Sequence, residues 1–212
     1  MSSEKTTLTE LYECLSAPLD SVSLRRFFLM LIRAHWLDQD NHGTLSDYFD
    51  CMQYSDDPAK RKVDVQLSHV FDPEKGTTNP AMYIGFEGFK LNTVGLGDTI
   101  GRKPDNSARQ EGKRADTVMS IGHISPSADT SLMMAESNAT LLQGVHRDII
   151  SNMDILNLDV LGWSDARLME KAPDRTFQVD LRCSISFNFM VEIDIESHRI
   201  KKFGTELNAS AS

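Results

Sequence analysis

The stretch TFQVDLRCSISFNFMVEIDI, residues 176–195, alternates along its whole length. Phe177, Val179, Leu181, Cys183, Ile185, Phe187, Phe189, Val191, Ile193 and Ile195 are apolar, and nearly every residue between them is polar or charged. A period of two marks a strand with one face turned to a core. Fully extended at ~3.3 Å per residue, the run would reach roughly 60 Å, more than the width of a compact domain of this size. It must therefore bend or project. No Gly, Pro or Asn-Gly interrupts it, which argues against a tight hairpin and leaves two solutions. Either a bulge or coiling absorbs the length within one subunit, or part of the strand joins a neighbour's sheet, because a long apolar edge is costly in water. The polar face, with Asp180, Arg182, Glu192, Asp194 and Glu196, suits solvent or a water-filled channel.

Upstream of this run, Leu132, Ala135, Ala139, Leu142, Val145 and Ile149 form one helical stripe, so an amphipathic helix is expected from a cap at Asp129 or Thr130 to about Met153. Thr117–Ile124 reads as the strand before it, ended by Ser125-Pro126. Leu156, Leu158, Val160 and Leu161 make a short apolar segment, and residues 165–174 a polar connection. Earlier still, Val63, Val65, Leu67, His69 and Phe71 alternate as a strand. The turn residues Asp72-Pro73-Glu74-Lys75-Gly76 follow, and then Pro80 leads into Met82, Ile84 and Phe86. Together these predict a long hairpin.

Residues 92–114 hold few apolar side chains and are dotted with Gly95, Gly97, Gly101 and Pro104, so a long exposed loop is expected. It is locally basic through Arg102, Lys103, Arg109, Lys113 and Arg114. At the N-terminus, Thr7 and Glu10 form a capping box for a helix that Pro18 ends. A second helix starts at Asp20 or Ser21, where Leu24, Phe27, Phe28, Leu31, His35 and their apolar neighbours predict burial on most sides. The fold class is α+β: a mostly antiparallel sheet with a long C-terminal strand, packed by one amphipathic helix, plus N-terminal helices. The corresponding division is an N-terminal helical segment (1–60), an α+β domain (61–203) and a flexible tail (204–212).

Composition narrows the function. The chain has 212 residues and a net charge of -9, which argues against broad nucleic-acid binding. Cys14, Cys51 and Cys183 are odd in number and widely spaced, pointing to a reducing compartment and to neither a disulfide framework nor a zinc site. The polar start is unlike a secretion signal, and the longest apolar run, Phe27–Ile32, is too short to span a membrane. Asp38, Asp40, His42 and Gly43 imitate half a calcium loop, but Phe49 stands where its bidentate Glu belongs. Gly95, Gly97 and Gly101 lack the Gly-Lys-Ser/Thr of a phosphate loop. His35, His69 and His123 lie within apolar patterns and read as core-edge residues. No nucleophile elbow or kinase signature occurs, so no enzyme, metal or cofactor is expected.

The order of elements, VDVQLSHVF, then NPAMYIGFE, then ADTVMSIGHISPSADTSLMMAESNATLLQGVHRDII and the terminal β run, resembles that of the tail-terminator and neck (head-tail joining) proteins of tailed bacteriophages. The resemblance covers roughly residues 60–200 and rests on pattern and order. It implies a homo-oligomeric ring, commonly a hexamer, in the virion, assembled in the host cytoplasm. Such a ring ends the tail tube and joins it to the head connector, with DNA only as passing cargo and no membrane contact. The expected interface residues are Phe177, Val179, Leu181, Ile185, Phe187, Phe189 and Val191 on the β run, with Arg102, Lys103, Arg109, Lys113 and Arg114 reaching an adjoining ring. A baseplate or sheath-associated adaptor is the second hypothesis. A small enzyme with a site assembled from scattered Asp, Glu and His residues is the third.

Overall fold

The computed structural model describes residues 21–37, 52–72, 80–93, 99–102, 108–153, 155–170, 172, 175–194 and 200–204. Among these residues, two helices and a mixed, mostly antiparallel nine-stranded sheet make an α+β fold. In chain order the elements are α1 (Ser21–Leu37), β1 (Asp64–Leu67), β2 (Ala81–Phe86), β3 (Lys90–Thr93), β4 (Thr99–Arg102), β5 (Ala108–Ser125), α2 (Ala128–Asn152), β6 (Ile155–Trp163), β7 (Arg167–Leu168), β8 (Phe177–Asp194) and β9 (Ile200–Gly204).

The alternating run is β8, and it is central. β5 pairs with it antiparallel from Ala108↔Asp194 to Ser125↔Phe177 without a shift in register. Along the far side of β5 lie β2, β3 and β4 in succession, and along the far side of β8 lie β7, β6 and β9. β1 completes the sheet beyond β2. A bulge, one of the ways the length of β8 could be absorbed, does not occur where β8 meets β5. The irregularities sit instead where β6 and β9 meet β8 and where β4 meets β5, in the flanking strands where departures from the ladder disturb least.

Two expectations are corrected here. β1 and β2 pair in parallel, so residues 63–71 and 82–86 are not a hairpin. Residues 68–80 between them are long enough for the crossover that parallel pairing demands. Strand β1 ends at Leu67, and His69 is exposed, not a core-edge residue. Residues 92–114 are not one long loop, since they contribute the end of β3, all of β4 and the start of β5. Their polar composition is compatible with strand because β8 is long enough to pair its backbone with 108–114 as well as with the apolar part of β5. The helix expected at 7–17, the acidic stretch 38–51 with its calcium-like pattern, the turn at 73–76, Lys103 and Ile195 lie outside the described residues.

Alternation sorts the two faces. Odd-numbered β8 residues Val179, Leu181, Cys183, Ile185 and Phe187 are buried opposite His123, Ile121, Met119, Thr117 and Ala115 of β5. α2 lies over β5, β8 and β6, and α1 over β1 and β2. Ser127, rather than Asp129 or Thr130, caps α2, accepting a hydrogen bond from Thr130 N at 3.4 Å. Leu24, Phe27, Phe28, Leu31, Ile32 and Trp36 of α1 recur at three- and four-residue spacing and join the same hydrophobic cluster as the sheet. Burying each such side chain contributes roughly 1.5–3 kcal/mol.

Inside that core runs one polar chain. Trp36 Nε1 donates to Asn138 Oδ1 at 2.9 Å, and Asn138 Nδ2 donates to His123 Nε2 at 2.8 Å. His123 then donates from Nδ1 to the Val179 carbonyl at 3.2 Å. Both helices are thus locked to both central strands, and the imidazole is held as its neutral Nδ1–H tautomer. His35, buried beside Trp36, meets Ser137 Oγ at 2.9 Å.

Burial lowers the His123 pKa from 6.5 to about 4, against a smaller opposing effect of the Val179 carbonyl. The unfolded chain therefore takes up a proton that the folded chain refuses. This contribution leaves stability flat above pH 6.5 and lowers it, by about 1.4 kcal/mol per unit, as pH falls from 6.5 to about 4. Urea unfolding of the wild type and of His123→Gln across that interval is expected to show a steeper loss for the wild type; parallel curves would refute the assignment.

Candidate assembly surfaces

The face of the sheet opposite the helices is built from the even positions of β5 and β8 and is polar. At one end Tyr83 of β2 lies over Gly122 of β5 so closely that no Cβ fits there, which is why this strand position holds glycine. The ring stacks on Phe71 with centroids 5.0 Å apart, and its hydroxyl accepts from Gln178 Nε2. Gln178 also donates to Asp180 Oδ1 at 2.6 Å, and Asp180 Oδ2 accepts from Arg167 at 2.6 Å. Burial, then the Asp180 charge, pushes the Tyr83 phenol up to about 12. In the middle Arg182 pairs with Glu87.

Farther along, Asp116 accepts from Ser186 Oγ at 2.6 Å, Arg114 Nε at 2.8 Å and Asn92 Nδ2 at 2.5 Å. Burial would raise its pKa, but these three partners outweigh that and hold it below the ordinary value. The charges on this face are therefore largely satisfied by one another. Among the described residues no three His, Cys, Asp or Glu side chains gather as a metal site. Cys183 is sealed in the core, where burial pushes its thiol up to about 12.

The sheet's edges differ from one another. At β1, Asp64 N donates to Pro80 O and Ser68 N to Ile84 O, so the even residues turn to β2 and the Val65 carbonyl turns outward. There it accepts from Arg33 Nε at 3.2 Å and Nη2 at 2.9 Å, while the guanidinium lies 5.2 Å from the centre of the Tyr54 ring. That edge is capped. The outer edges of β3 and β6 pair with no strand among the described residues. β6 carries Leu156 (48% exposed), Leu161 (58%) and Trp163 (43%), and β3 carries Leu91 (51%). Leu156 and Leu161 fall at the two register shifts of β6, and Gly162 between Leu161 and Trp163 has φ +121°.

The expected interface residues separate into three groups. Val179, Leu181, Ile185 and Phe187 lie in the subunit's own core beneath α2, so this half of β8 is covered without help from another chain. Phe177 and Phe189 are half-buried at either end of that core, and the Phe177 ring lies 5.3 Å from the Arg175 guanidinium. Past Ala115 and Phe187 the central pair continues as a ribbon, flanked by β4 and β9, in which the backbone of Val191 pairs with Glu111 and Phe203. Arg102 of β4 pairs with Arg109 of β5 in the same ribbon, Lys113 follows, and Arg114 is engaged with Asp116 and Ser186. Arg33, Leu156, Leu161, Trp163 and Leu91 were not singled out by sequence. Only the short apolar segment around 156–161 carried a signal, and nothing in it told an edge strand from a buried one.

No protein-family model matches the chain, and a search of curated proteins finds no match. No described helix is long and apolar enough to cross a membrane.

Arg33→Ala would remove two charge-assisted hydrogen bonds and leave the Val65 carbonyl without its cap. Equilibrium unfolding in urea is expected to show a loss of about 2 kcal/mol. A midpoint equal to the wild type's would mean that the cap contributes nothing.

Proposed function

We propose that this chain is a virion structural protein of the tail-terminator or neck kind, one that works by assembling into a ring at the end of a tail tube and not by catalysis. The observation that carries this reading is the length of the β5–β8 pair: 18 residues on each strand in one unbroken register, with three further strands along either side. A sheet with central strands this long is suited to contacts with other chains, because extended backbone and alternating side chains offer a ready docking template. β4 and β9 widen one end of that pair to a four-stranded ribbon. The net charge of -9 fits a ring through which DNA passes without being held.

In this reading the ribbon supplies part of the ring's surface, with Arg102, Lys103, Arg109 and Lys113 meeting an adjoining ring. The core half of β8 serves each subunit's own stability. Catalysis has no part in it. The two most chemically versatile side chains of the described core, His123 and Cys183, are buried as packing and hydrogen-bonding groups.

Native mass spectrometry and negative-stain imaging of the full-length protein test the proposal. The expected result is a single oligomer whose mass is a whole multiple of 23.8 kDa and closed rings of one diameter. A monomer persisting at the highest attainable concentration, with no affinity for tail tubes, would overturn it.

A further inference from the structure

We infer that residues 7–17 form a helix that folds back antiparallel on the outer side of α1, with Glu13 beside Arg25 and Leu8 beside Met30. This contact lies within one subunit and is independent of the ring reading. Length confines it. The Thr7–Glu10 capping box opens the segment, Pro18 closes it, and α1 begins at Ser21. From Ala17 to Ser21 the chain spans at most roughly 14 Å, little more than the ~8–10 Å between the axes of packed helices. A helix joined by so short a link lies beside its neighbour and runs the other way. Alone in water a helix of this length is marginal, so it needs that neighbour.

The outer side of α1 suits such a partner. Leu24, Phe28 and Ile32 are buried on the inner side, and Val22, Arg26, Leu29 and Met30 recur at three- and four-residue spacing on the other. Val22 is 60% exposed, and Leu29 and Met30 are half-buried. Among the described residues, α1 packs on β1 and β2 and hydrogen-bonds to α2 through His35 and Trp36. Leu8, Leu11, Tyr12 and Leu15 bring a matching stripe. Counting back from Ala17 opposite Ser21 sets Leu8 level with Met30, Tyr12 with Arg26, and Leu15 with Ser23 next to Val22. Apolar surface on both helices is then removed from water.

Charge sets the register. α1 carries Arg25, Arg26 and Arg33 and no acid, whereas residues 7–17 carry Glu10 and Glu13 and no base. Arg33 is engaged at β1. Arg25 lies 5.8 Å from the centre of the Phe86 ring, and its Nε is buried with no hydrogen-bond acceptor among the described residues. An unmet buried N–H is costly, and two guanidiniums near the positive end of a helix favour a carboxylate beside them. Glu13, level with Arg25, answers both. The other segment next to α1, residues 38–51, leaves and rejoins the described chain at the opposite end of the helix, where Tyr54 N donates to the Trp36 carbonyl at 2.9 Å. With its outer side closed by its own chain, α1 is withdrawn from the surfaces open to other copies.

The test uses the full-length chain with Cys14→Ser and Cys51→Ser as background, Cys183 being buried. Leu8→Cys with Met30→Cys is expected to close a disulfide within one chain on oxidation, roughly tenfold faster than Leu8→Cys with Asp159→Cys, whose second site lies on the opposite face of the sheet. A link formed between two chains, or a rate no greater than the control's, overturns the inference. Chymotryptic cleavage after Tyr12 is the second readout. Glu13→Arg and Arg25→Glu are each expected to speed it roughly threefold, and the two together to restore protection. Equal cleavage in the wild type and both single variants, or a double variant cleaved as fast as the singles, overturns it as well.

Discussion

The unbroken antiparallel pairing of β5 with β8 is the constraint from which the rest of the architecture follows. Each of the two central strands is 18 residues long, and because their register never slips, the odd positions from 115 to 123 and from 179 to 187 face the helices and the even positions between them face away. A shift of one residue would turn Val179, Leu181, Cys183, Ile185 and Phe187 to the opposite face. The long strands also leave more edge than any single partner covers. Three short strands flank β5 and three flank β8, and most of the departures from ideal pairing occur in these flanking strands. The centre is kept regular, and irregularity is displaced to the periphery.

The helices are held to this ribbon by packing and by hydrogen bonds, above all by one buried polar chain. Apolar burial is non-directional, and it alone would let α1 and α2 slide over the sheet. Trp36, Asn138, His123 and the Val179 carbonyl add direction, since each bond sets a donor against an acceptor and the imidazole has both ring nitrogens engaged. Such a chain is costly to leave half satisfied and therefore specifies one arrangement. His123 stays neutral because its surroundings favour that form, and its two bonds need the neutral ring.

How much of this was legible in the sequence follows from the range of each signal. β8 and both described helices were readable because burial imposes a period of two or of 3.6 on consecutive residues. The N-terminal half of β5 was not readable, because residues 108–114 form strand through backbone pairing to β8, with few apolar side chains to mark them. The parallel pairing of β1 with β2 was hidden for a related reason: turn-forming residues between two strands fit a hairpin and a crossover alike, and only the rest of the sheet chooses. Asn138 was not singled out by the sequence, yet it is fully buried as the hub of the core's hydrogen bonds. The first half of the expected interface on β8 lies beneath α2, whose position the sequence did not show. Nothing local distinguishes apolar residues covered by their own helix from those left for a neighbour.

The edges show the same division between what a subunit completes and what it leaves open. Stray pairing is a hazard for any exposed strand, and the charged side chain of Arg33 answers it at β1 by occupying the outward carbonyl. At β6 the usual protections are sparse: the strand is nine residues long, bears one charge and displays Leu156, Leu161 and Trp163. Its register shifts are a partial defence, because departures from the ladder limit how far a foreign strand can pair. Tolerating that edge is costly for an isolated subunit and advantageous for one whose neighbour covers it. Within one sheet, then, a side chain occupies an outward carbonyl at β1, while β6 and β3 are among the strands whose outer edges meet no described strand.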